Sequence, residues 1–129
     1  MKLLLLSFSF ILLNVSAKNC KHAKVISSTC FKGKLELKGA CRNFVISMQS
    51  KNFDTSLVNA SWKSSATSKT YKNVFGLSSR CSFPDSIKEG DEFYFLIDNA
   101  VVQNCMVCMI YYPTPPRKLS IRVLNAPCK

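Results

Sequence analysis

The chain has 129 residues, 47% of them hydrophobic, and a formal net charge of +11 from 18 Lys and Arg against 7 Asp and Glu. That length makes one ordinary domain, large enough for a core that disulfides would reinforce. A positive excess of this size disfavours basic partners and favours acidic ones, such as sulfated glycans, anionic lipid headgroups or an acidic protein face.

Lys2, the apolar run 3–13 and the small residues Val15-Ser16-Ala17 have the form of a secretory signal peptide, 1–17. Its removal leaves a single mature domain, 18–129, of 112 residues with a net charge near +10. The apolar run falls short of the ~20 residues a membrane-spanning helix needs. No transmembrane anchor is expected, and the product is expected to be secreted into the extracellular space.

All seven cysteines, Cys20, Cys30, Cys41, Cys81, Cys105, Cys108 and Cys128, lie in the mature part, where export lets disulfides persist. Three bridges and one remaining thiol is the simplest count, and the odd cysteine leaves open a monomer or a disulfide-linked dimer. Twelve basic residues and two acids lie between 18 and 80, against five of each from 81 onward, so the positive field belongs to the first half. Lys32, Lys34, Lys38 and Arg42 are the candidate contacts for an anionic partner.

The mature chain is expected to open with a basic segment in which Val25 and Ile26 predict a short edge strand. Over 31–37, Phe31, Leu35 and Leu37 share one parity while Lys32, Lys34, Glu36 and Lys38 take the other, which predicts a half-buried strand. Gly33, on the inner side, marks a bulge or a close approach. Phe44, Ile46 and Met48 alternate with Val45, Ser47 and Gln49 in a second strand, and 56–62 is a weaker one ending at Trp62. Asn59-Ala60-Ser61 is a glycosylation sequon, so Asn59 is the candidate site of a glycoprotein.

The Ser, Thr and Lys of 63–72 predict an exposed turn, 71–75 a further strand, and 77–91 an irregular connection. The apolar runs 92–97 and 101–112, separated by Asp98-Asn99-Ala100, predict two buried strands joined as a hairpin at the centre of the domain. On such a strand Cys105 and Cys108 point to opposite faces, so they bond to other parts of the fold and not to each other. Pro113, Pro115 and Pro116 fix an extended connection, and 118–124 alternates Leu119, Ile121 and Val123 against Lys118, Ser120 and Arg122. Seven or eight short strands without an amphipathic helix or a repeat predict an all-β, disulfide-stabilised antiparallel β-sandwich of immunoglobulin-like two-sheet architecture.

Catalytic machinery is not expected. His22 is the only histidine and has no acidic neighbour to orient it. Cys105-Met106-Val107-Cys108 has redox or zinc spacing but lacks both the helix of a redox pair and a second pair of ligands, so no metal site is expected. No phosphate loop or calcium loop calls for a cofactor. Export and a disulfide framework argue against a nucleic-acid partner. Phe44, Met48, Phe93, Phe95, Met106 and Met109 fall on predicted inner faces, where they fill a core or line an inter-sheet cavity suited to an acyl chain or sterol.

Short motifs along the mature chain point the same way: Lys18-Asn19-Cys20, the strand and turn ending in Asn52-Phe53-Asp54-Thr55, Cys81 with Pro84, Lys88 with Gly90, Phe93-Tyr94-Phe95, Tyr112-Pro113 and Cys128. Together they resemble the ML lipid-recognition family, the secreted sterol carriers and mite group-two allergens. The resemblance implies a two-sheet sandwich that opens to admit a lipid, a Cys20–Cys128 bridge and a Cys30–Cys41 bridge. The family has two close cysteines where Cys81 stands alone here, and no counterpart of Cys105 and Cys108. The expected function is that of a secreted, non-enzymatic protein carrying or recognising a lipid in an inter-sheet cavity. Docking on an acidic glycan, receptor or other extracellular protein is the alternative.

Overall fold

The computed structural model of the chain describes residues 26–129, and side chains from residue 29 on. The expected signal segment 1–17 and the expected mature start, with Cys20, His22 and Val25, lie outside the described residues. Seven strands follow one another: β1 (Ile26–Lys38), β2 (Phe44–Met48), β3 (Asn59–Lys63), β4 (Thr70–Leu77), β5 (Glu92–Asp98), β6 (Lys118–Leu119) and β7 (Ile121–Leu124). Three short 3-10 turns lie between them, and there is no α-helix among the described residues. The described residues are all-β, as the alternating patterns predict, and are stapled by disulfides.

All seven strands belong to one sheet, in the order β3-β4-β2-β1-β5-β7, with β6 added to β4. Every pairing is antiparallel except β4 with β6. Only Ser120 separates β6 from β7, so one extended segment bonds β4 with its first half and β5 with its second. The amides of Gly76 and Ser78 donate to the carbonyls of Arg117 and Leu119 at 2.8 Å, and that of Asp98 to Ser120 at 2.9 Å. The two ends of the sheet are thereby joined, and β4, β2, β1, β5 and the β6–β7 segment make a closed circuit with the connectivity of a five-stranded, OB-type Greek-key barrel. The strands thus form one sheet that closes on itself around the core, and β3 extends it as a hairpin on β4.

Inward side chains meet across the circuit. Phe31, Leu35, Phe44, Ile46, Met48, Phe75, Phe93 and Phe95 are buried in one cluster. Their rings pack in tilted and edge-on pairs, with centroids 5.7 Å apart for Phe31 and Phe95, 5.9 Å for Phe75 and Phe95, and 5.3 Å for Phe83 and Phe93. Gly33 sits against them: a Cβ there would lie 2.9 Å from Phe95 Cε1 and 3.2 Å from Ile46 Cγ2, so the close approach expected at this glycine is real.

Two irregularities re-aim side chains. A register shift between Leu35 and Leu37 places Glu36 in a bulge, and the parity that would put Leu37 beside Leu35 is broken. Leu37 instead joins Val45 and Val74 in a second cluster, covered by Trp62 and Tyr71. In β4, Asn73 adopts a left-handed conformation at φ 51°, which Asn tolerates better than most residues. That kink lets Tyr71 and Val74 share the second cluster while Phe75 enters the barrel.

The bridges are Cys30–Cys128, Cys41–Cys108 and Cys81–Cys105. The pairings implied by the family resemblance, Cys20–Cys128 and Cys30–Cys41, therefore do not hold. Cys30 lies within β1 opposite Leu96, whereas Cys41 lies beyond the end of that strand, so each faces a different mate. The expected central hairpin also needs correction. Its first half is β5, but 101–112 forms no strand. Cys105 and Cys108 do bond to two different parts of the fold, and this draws the segment across one end of the barrel instead of along its wall.

Candidate docking surface: the disulfide-pinned loop

The segment between β5 and β6 contains no charged residue from Asn99 to Pro116. Asp98 starts it: its buried carboxylate accepts from the Ala100 amide at 3.0 Å and lies 3.4 Å from Arg122 Nε. The Cys81 amide donates to Gln103 Oε1 at 3.2 Å, and the Cys81–Cys105 bridge follows. Four residues after Cys108, Tyr112 lies against Gly39, where a Cβ would stand 2.5 Å from the ring. Thr114 packs on Gly76 and Pro115 is buried, which seats the proline-rich exit on β4.

Between these anchors the apolar side chains point away from the protein. Met106 is 100% exposed, Met109 97%, Tyr111 88%, Val102 72% and Ile110 62%. Scattered exposed apolar residues are normal, but a run of them on one loop marks an interaction surface. Burying one such side chain is worth roughly 1.5–3 kcal/mol, so several held in water represent a substantial binding potential. The sequence places Met106 and Met109 on inner faces, and the structure overturns this: the two nearby bridges hold the backbone outside the barrel, beyond reach of the core.

The second anchor is strained. Cys41 and Arg42 both have left-handed backbones, φ 56° and 57°, a conformation costly for residues other than glycine. Cys41 is held by its bridge to Cys108. Arg42 is held by its guanidinium, which donates to the carbonyls of Arg80 at 3.0 Å and Phe83 at 3.3 Å and to the Asp85 carboxylate at 2.8 Å.

A cleft of about 460 Å³ runs between the loop and the barrel end, lined by Arg80 and Lys118 together with Met109, Ile110, Tyr111 and Pro116. Arg80 and Lys118 also line an adjoining space of about 410 Å³ with Gln103 and Val107. The side chains of these two cations make no ion pair or hydrogen bond to any described residue. The last acid in the chain is Asp98, and none occurs between 55 and 84, so the base of the loop carries unopposed positive charge.

The other expected site residues are dispersed. Of the lipid-cavity candidates, Phe44, Met48, Phe93 and Phe95 are buried core residues, and Phe93 also borders an open cleft of about 400 Å³ with Ile87, Tyr94, Val123 and Leu124. The four anion-contact candidates are all engaged within the protein. Lys32 pairs with Glu92, whose hydrogen bond raises the pKa of the ammonium above its ordinary value, and Lys34 pairs with Glu36 at 3.5 Å. Lys38 Nζ donates to the carbonyls of Asp85 at 2.9 Å and Ile87 at 3.1 Å, and Arg42 is the strut described above. Asn59 begins β3, and its side-chain oxygen accepts from the Arg117 amide at 2.9 Å. No group of three His, Cys, Asp or Glu able to hold a metal occurs among the described residues.

Sequence reasoning missed Arg80, Lys118 and the outward course of 99–116. A charge-free stretch with two cysteines was the available signal, and it fits a buried strand equally well until the cysteines' mates are known. Comparison of the chain with protein-family models, curated proteins and solved structures finds no match.

Proposed function

We propose that the protein is an exported, non-enzymatic binding module that docks through the 99–116 loop on an acidic or amphipathic surface. The observation that carries this reading is the loop itself. An uncharged run is pinned by two bridges, presents Met106, Met109, Ile110 and Tyr111 to solvent, and stands beside unpaired Arg80 and Lys118. Pinning lowers the entropy lost when the loop is buried, which favours binding. Three bridges suit an oxidising compartment, in keeping with export. The alternative, a lipid carried inside the fold, draws less support, because the phenylalanines expected to line a cavity pack against one another.

The test compares the full mature chain with a Met109→Asp, Ile110→Asp variant, both fluorescently labelled, for adhesion to cultured cells. Adhesion is expected to fall at least tenfold in the variant while circular dichroism and disulfide mapping stay unchanged. Equal adhesion of the two proteins would remove the loop from the binding function.

A further inference from the structure

Resting on that reading of the loop, we propose that its partner is the surface of an anionic lipid bilayer, entered by Met106, Met109 and Ile110 while Arg80 and Lys118 meet the headgroup phosphates. Four features favour a bilayer over a protein. The loop has no charge between Asn99 and Pro116, so nothing ionic enters the hydrocarbon. Met106 and Met109 are almost wholly exposed at the open edges of shallow clefts, and a fluid partner can take up such side chains without complementary relief. Tyr111 and Tyr112 line the same cleft as Met109, Ile110, Arg80 and Lys118, and aromatic rings flanked by apolar and basic groups are the kind that collect at a membrane surface. The positive charge at the base lacks acidic opposition: the cleft beneath the loop is lined by Arg80 and Lys118 and by no carboxylate. Apolar insertion combined with basic contacts is the two-part signal that peripheral membrane attachment requires.

The experiment is co-sedimentation of the mature chain with protein-free vesicles of phosphatidylcholine alone and of phosphatidylcholine with phosphatidylserine. Binding is expected to be at least tenfold tighter on the anionic vesicles and to weaken with salt. Arg80→Gln and Lys118→Gln should each weaken it about fivefold, the share of one basic residue near such a surface. Met106→Asp with Met109→Asp should weaken it at least tenfold; both positions are exposed, so the fold should persist by circular dichroism. In a Met109→Trp variant the introduced indole should shift to the blue and be quenched by lipids brominated on their acyl chains. Equal binding to neutral and anionic vesicles, unchanged binding by the double aspartate variant, or an unquenched indole would each overturn the inference. Loop-dependent adhesion to cells that protease treatment of those cells abolishes, with no vesicle binding, would assign the loop to a protein partner. Loop-dependent self-association by sedimentation equilibrium, again without vesicle binding, would assign it to a second copy. Either result refutes the bilayer while leaving the docking loop in place, whereas loss of every loop-dependent interaction would refute both.

Discussion

The hydroxyl of Ser79 bonds to both backbone polar groups of Ile121: it accepts from the amide at 2.8 Å and donates to the carbonyl at 2.9 Å. Ser79 is completely buried and Ile121 nearly so. A side chain here does the work of a ladder pair at the point where the closing segment passes from β4 to β5. Ser79→Ala would leave a buried donor and a buried acceptor without partners, each at a cost of about 1–3 kcal/mol. A total loss of roughly 2–6 kcal/mol is expected in urea denaturation, with faster amide exchange at Ser78 and Asp98. A loss well below this range would mean that the neighbouring backbone bonds close the barrel unaided.

Gly39 and Gly90 separate two ways in which a glycine resists replacement. At Gly39 a Cβ would stand 2.5 Å from the Tyr112 ring and 2.6 Å from the Asn43 carbonyl oxygen, and backbone cannot swing aside. At Gly90 nothing lies within 4 Å, but φ is +91°, which a side chain disfavours. Gly39→Ala should therefore cost about 1–3 kcal/mol as overpacking and should displace Tyr112. Gly90→Ala should cost about 1 kcal/mol through conformation alone. Hydrogen exchange across 105–112 is the deciding readout. It should rise in Gly39→Ala only, and a rise in both variants would show that Tyr112 does not anchor the loop.

The strands that could be read from the sequence were those in which alternation and burial agree. Phe44, Ile46 and Met48 face inward as their spacing predicts, and so does Ile121. Local departures were invisible, because the bulge at Glu36 that moves Leu37 to the other face depends on how β1 pairs with β2. The 99–116 loop was hidden for a different reason. An apolar run predicts burial only if the chain is free to bury it, and the bridges to Cys41 and Cys81 remove that freedom. Counting charge likewise located an excess but not its availability. Lys32, Lys34, Lys38 and Arg42 are neutralised or tied within the protein, while Arg80 and Lys118 escape pairing because no acid neighbours them in sequence or across the cleft.

Asp54 caps the 3-10 turn Thr55–Leu57 by accepting from the Ser56 amide at 2.9 Å. That bond favours the charged carboxylate and holds its pKa below the ordinary value of 3.8. Because the folded-state value is the lower one, the cap stabilises the fold above the unfolded value, and this contribution disappears as pH falls through the folded value. Titration of the Asp54 carboxyl by NMR should give a midpoint below 3.8, and Asp54→Asn should lessen the acid dependence of stability. A midpoint at or above that figure would show the cap to be absent in solution.

Two of the bridges constrain each other. Taken alone, Cys30–Cys128 closes 98 residues and Cys81–Cys105 closes 24, which the chain-entropy relation converts to about 4.7 and about 3.5 kcal/mol. With Cys41–Cys108 intact, however, the path from Cys30 to Cys128 runs only through the 11 residues to Cys41 and the 20 from Cys108. That shortened loop is worth about 3.7 kcal/mol on the same relation, close to the figure for Cys81–Cys105. Replacing either pair by serine should therefore lower stability by similar amounts in the otherwise native chain. In a Cys41→Ser, Cys108→Ser background the Cys30–Cys128 bridge should become worth about 1 kcal/mol more, the coupling a double-mutant cycle isolates. Denaturant unfolding of the four proteins in that cycle measures it, and strict additivity would show that the bridges act on the folded state and not through the chain entropy of the unfolded one.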